Sequence, residues 1–82
     1  MELGIREIIE RNKIKAESFL REDSKVFLKD IYENLHFCYV KEISHDWVII
    51  KGFDGKRKGE TTRIYWADIK VFEEYKNEVV GG

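Results

Sequence analysis

The chain has 82 residues, 43% of them hydrophobic and 13% aromatic, with 15 Lys and Arg against 16 Asp and Glu for a formal net charge of −1. That apolar content builds one small core and leaves no room for two domains, and the balanced total announces neither a polybasic nucleic-acid binder nor an acidic tail. Six glycines and no proline among many aromatic and β-branched residues exclude a disordered linker.

The first twenty-odd residues carry helical spacing. Ile5, Ile8 and Ile9 stand at i, i+3 and i+4, and Ala16, Phe19 and Leu20 resume the stripe after polar Asn12 and Lys13. Residues 1–23 therefore read as an N-terminal helical segment, either one helix with a polar patch or a short helix to about Arg11 and a second piece. After Ser24 the period changes. Lys25 to Ile31, Leu35 to Ile43 and Trp47 to Phe53 are runs rich in Val, Ile, Phe, Tyr and Trp, separated by Tyr32-Glu33-Asn34 and Ser44-His45-Asp46. These triplets suit tight hairpin loops, so the strands form an antiparallel meander. Gly52 to Gly59 is the glycine-rich loop, and Thr61 to Trp66 and Ile69 to Tyr75 give a fourth and fifth strand around a one-turn corner at Ala67-Asp68. The inward parity of Cys38 and Val40 would place Glu42 inside and Ile43 outside, which a bulge near Lys41 and Glu42 corrects. Bent, bulged strands of this kind curl on themselves. The expected fold is mainly β with an N-terminal α-helix: a five-stranded antiparallel small barrel over residues 24–76, in a single domain with a flexible tail at 77–82.

This order resembles the Sm-like group of Src-homology-3-type small barrels. The resemblance is carried by Val26-Phe27-Leu28-Lys29, by the Phe37 to Ile43 and Trp47 to Ile50 pair around His45-Asp46, and by the run from Arg63 to Val71. It implies the barrel topology and an edge-to-edge pairing of strands between copies. It implies no RNA pocket, because Ser44-His45-Asp46-Trp47 stands where that family has an Asp-x-Met-Asn-type motif.

Charge is unevenly spread. Lys51, Lys56, Arg57, Lys58 and Arg63 face only Asp54 and Glu60 between residues 51 and 66, an excess of three positives. Tyr65 and Trp66 lie beside them. Cations for phosphates and flat rings for bases are what a nucleic-acid strand requires, so Lys51, Lys56, Arg57, Lys58, Arg63, Tyr65 and Trp66 form the candidate binding set. The alternative is that Gly-Lys-Arg-Lys-Gly is a solvated loop tip and that the module binds a protein partner or a second copy of itself. Trp47 projects from the other face of its strand, where it packs under the helix, forms a partner interface or serves as a stacking platform.

Catalysis and metal binding find little support. His36 and Cys38 share one side of a strand, but a zinc site needs three or four ligands and the spacing matches no known finger. Cys38 lacks an orienting third group and reads as a small buried apolar residue. No catalytic residue, metal or cofactor is expected. A single cysteine and no apolar N-terminal stretch fit a cytoplasmic protein, and the longest apolar run, Trp47 to Ile50, is too short for a membrane span. The terminal Gly81-Gly82 is expected to be frayed chain.

Overall fold

The computed structural model describes residues 4–76; the expected tail at 77–82, with Gly81-Gly82, lies outside them. One helix, α1 (Ile5–Glu22), is followed by β1 (Val26–Asp30), β2 (Leu35–Ile43), β3 (Trp47–Asp54), β4 (Thr61–Tyr65) and β5 (Ile69–Glu74), with a single 3₁₀ turn at Trp66–Asp68 before β5. A mainly β chain with one N-terminal helix is what the sequence led us to expect. Helix α1 runs through the polar patch unbroken. It ends where Asp23 adopts a left-handed conformation (φ 52°) and the Ser24 N–H closes on the Phe19 carbonyl at 3.0 Å.

The closed barrel is overturned. The strands are antiparallel in the order β4-β3-β2-β1-β5, and among the described residues no ladder joins β4 to β5, so the sheet is open. The Sm-like and Src-homology-3-type assignment goes with it. The reason lies in the chain between the two edges. A five-residue β4 passes through one 3₁₀ turn directly into β5, which goes to β1 and makes its ladder there. Side chains fill the seam instead. Trp66 is buried with its indole N–H donating to the Ser44 carbonyl at 2.9 Å, and Phe72 meets Trp66 and Phe19 edge-on at 6.5 and 5.2 Å. Helix α1 is fastened to the β5 edge by the Lys15 ammonium, which donates to the Phe72 carbonyl and pairs with Glu73 at 2.9 Å.

The expected bulge is present. Val40 faces Ile50 and Glu42 faces Ile49, leaving Lys41 as the extra residue, so Val48 and Ile50 stay inward with Cys38 and Val40. The helix stripe is narrower than its apolar residues suggest. Asn12, Ala16 and Phe19 are buried, while Ile5, Ile8 and Leu20 are exposed. Among the described residues no helix is long and apolar enough to cross a membrane.

Candidate functional site

The sheet has two unlike faces. Its inner face, with α1, holds the core of Val26, Leu28, Cys38, Val40, Val48 and Ile50. Its outer face carries the alternate residues of the same strands, and there Phe27, Phe37, Tyr39, Phe53 and Tyr75 form a layer of rings with neighbouring centroids 5.4 to 6.4 Å apart. These rings are half-buried because they cover one another, and the Lys25 ammonium lies 5.2 Å from the Phe53 centroid. The layer stiffens a sheet that closure does not. Trp47 belongs to this outer face and does not pack under the helix. Its ring meets Tyr65 at 87° and 6.0 Å, with the Arg63 guanidinium 4.8 Å away.

The basic residues between 51 and 66 therefore do not make one surface. Lys51, Arg63 and Tyr65 project from the outer face, Lys58 stands exposed on the loop, and Trp66 is only 2% exposed, out of reach of any stacking base. A small-barrel module with one basic and aromatic nucleic-acid face is not what the chain builds. Tyr65 and Trp66 border one concave site beside α1, while Lys56 and Arg57 come together at a different one.

That site is a cavity of about 370 Å³ at the end of β2 and β3, floored by His36, Cys38 and Ile50 and walled by Asn34, Lys56 and Arg57. The loop after β3 reaches it by folding back on itself. Gly55 (φ 81°) and Gly59 (φ 83°) supply left-handed turns, the Gly59 N–H donates to the Gly52 carbonyl at 2.9 Å, and the Gly52 N–H donates to the Glu60 carbonyl at 3.0 Å. Gly52 is required here, since a Cβ on it would collide with the Arg57 carbonyl oxygen. A segment that reads as a solvated hairpin tip is thus pinned over the cavity mouth. Lys56 and Arg57 form no ion pair among the described residues.

The floor contains a feature the sequence reading missed. Asp30 ends β1 and is buried. Its carboxylate accepts the Tyr32 and Asn34 backbone N–H groups at 2.9 Å each, the Asn34 side-chain amide at 3.2 Å, and the ring of His36 through Nε2 at 3.2 Å. Burial by itself would raise the Asp30 pKa, but these bonds outweigh it and hold the group below its ordinary value. His36 is buried at 4% exposure and spends Nε2 on Asp30 rather than joining Cys38 in a ligand pair. The legible clue was the turn itself: an Asp closing a strand, with Asn four and His six residues later, brings all three together once the hairpin forms.

Two other titratable groups define the chemistry. Burial pushes the Cys38 thiol up to about 12, so it stays protonated. Glu33, at the rim, is drawn down to about 2 by hydrogen bonds from Lys29 and Lys70, at 2.7 and 2.9 Å, which also neutralise it. Asp54, the other acid at the rim, is occupied by the Gly55 N–H at 2.8 Å. Comparison with protein-family models, curated proteins and solved structures finds no match to this chain.

Proposed function

We propose that this chain is a non-catalytic, cytoplasmic binding domain that takes a small anionic molecule in the cavity under the 55–60 loop. The observation that carries this reading is the placement of Lys56 and Arg57. Two cations without carboxylate partners among the described residues are held against the cavity by a loop whose backbone is pinned at Gly52. The volume falls in the range of roughly 300–1,000 Å³ typical of small-ligand sites. A non-catalytic role is supported by the protonated, fully buried thiol of Cys38 and by a cavity lining that offers no serine or threonine hydroxyl as nucleophile.

The test is a titration of the ¹⁵N-labelled protein with phosphate, sulfate and citrate at low ionic strength. Amide shifts should concentrate at residues 34–38 and 52–60, and Lys56→Ala with Arg57→Ala should weaken binding of every anion. Shifts scattered evenly over all lysines, or none at all, would refute the site.

A further inference from the structure

The cavity beneath the 55–60 loop is lined by two kinds of side chain. Most of the polar ones are spent inside the protein. Glu33 is paired with Lys29 and Lys70, Asp54 accepts the Gly55 N–H, and the Asn34 amide and His36 Nε2 are bonded to Asp30. No side-chain nitrogen or oxygen among the described residues is both sealed from solvent and without a partner, so the interior needs no hydrogen bond from a ligand. Lys56 and Arg57 differ, being exposed and without an ion pair among the described residues.

The apolar side chains are Leu35, Phe37, Cys38 and Ile50. Cys38 and Ile50 belong to the buried core, but Leu35 is 51% exposed and Phe37 half-buried, so apolar surface at the cavity is left facing water. Phe37 is held in place, its ring 5.6 and 5.7 Å from those of Phe27 and Tyr75. The basic loop lies directly against that ring, since a Cβ on Gly55 would stand 3.8 Å from Phe37 Cδ2. Cations and uncovered apolar surface are therefore neighbours. A volume of about 370 Å³ suits a small organic molecule, whereas an inorganic anion on the two cations leaves most of it unfilled.

We infer that the cavity takes a small organic anion with an apolar body, its carboxylate or phosphate head held by Lys56 and Arg57 and its body laid over Leu35 and Phe37. The inference rests on the anion-binding reading above and adds the ligand class to it. The head supplies the counter-charge that the loop lacks, and the body shields Leu35 from water. Neither part alone uses the whole site. Acetate and phosphate meet only the cations, and a neutral aromatic molecule meets only the apolar wall.

The experiment titrates the protein with sodium benzoate, sodium acetate, inorganic phosphate and benzyl alcohol at neutral pH and matched ionic strength, followed by ¹⁵N amide shifts and by nuclear Overhauser contacts from the ligand ring. Benzoate should bind about tenfold more tightly than acetate, the gain from removing roughly 55 Å² of apolar surface from water. Benzyl alcohol has a similar ring without the charge, and should bind roughly tenfold more weakly than benzoate. The benzoate ring protons should contact Leu35 and Phe37. Leu35→Thr keeps a strand-forming residue at an exposed position, and should lower the benzoate-to-acetate ratio severalfold while phosphate binding is kept. Equal affinities for benzoate and acetate with phosphate still bound, or a ratio that survives Leu35→Thr, would overturn the apolar body and leave the anion site standing. Benzyl alcohol binding as tightly as benzoate would overturn the composite ligand. Failure of benzoate, acetate and phosphate alike would overturn site and ligand class together. If Leu35→Thr does not fold, the wild-type ring contacts decide: none at Leu35 or Phe37 counts against the proposal.

Discussion

Replacing Asp30 by alanine removes a carboxylate that accepts four hydrogen bonds, and the four are unequal. Tyr32 and Asn34 are exposed, so their donors can turn to water at little cost. His36 cannot. Its Nε2–H would be left buried, at a cost of about 1–3 kcal/mol, and the lost charge-assisted bonds add to it. A loss of about 3 kcal/mol is expected for Asp30→Ala, or roughly 12–24 °C in Tm for a domain of this size. Asp30→Asn should cost about half as much, because the amide oxygen still accepts the two backbone N–H groups. Its NH₂, however, faces His36 Nε2 where the carboxylate oxygen accepted, so that bond is lost. The pH dependence has a definite sign. A folded-state pKa below the unfolded value of 3.8 makes the contribution of Asp30 complete at neutral pH and loses it as pH falls below that value through the folded pKa. Urea unfolding from neutral pH into acid, on wild type and both variants, measures all of this. A loss under about 1 kcal/mol for Asp30→Ala, or an acid limb as steep in Asp30→Asn as in wild type, would refute the reasoning.

Phe37 touches Phe27, Phe53 and Tyr75, so Phe37→Ala should cost about 2–3 kcal/mol in chemical denaturation, whereas a merely decorative outer layer would give less than 1. Gly52→Ala drives a methyl into the Arg57 carbonyl, and the expected outcome is displacement of the 55–60 loop and loss of anion binding with the rest of the amide spectrum preserved. Cys38, buried and pushed up to about 12, should resist alkylation at mildly alkaline pH in the folded protein and react at once in denaturant, which mass spectrometry reads directly; rapid native labelling would contradict its burial.

Periodicity served well wherever local pattern and tertiary packing agree. The period-2 runs marked the strands, and the parity conflict at Glu42 located the bulge at Lys41, because a face buried against a core tolerates no slip. Closure was not legible in the same way. Whether β4 meets β5 depends on where a three-residue turn sends the chain and on Trp66 filling the seam, neither of which a strand count contains. Composition misled on Ile5, Ile8 and Leu20, which share helical spacing with Ala16 and Phe19 yet stay exposed, because a small sheet receives only a narrow stripe. For the site, local charge density brought attention to Lys56 and Arg57. It also gathered Arg63, Tyr65 and Trp66, which strand alternation sends to the outer face and the core. The floor of the cavity was missed because Asp30 and His36 meet only across a hairpin, and His36 had been read with its strand neighbour Cys38 instead.

The most direct test of the account is a crystal structure of the protein grown with inorganic phosphate. Phosphate should lie in the cavity with its oxygens on Lys56 and Arg57. A phosphate bound elsewhere on the surface with this cavity empty would contradict it.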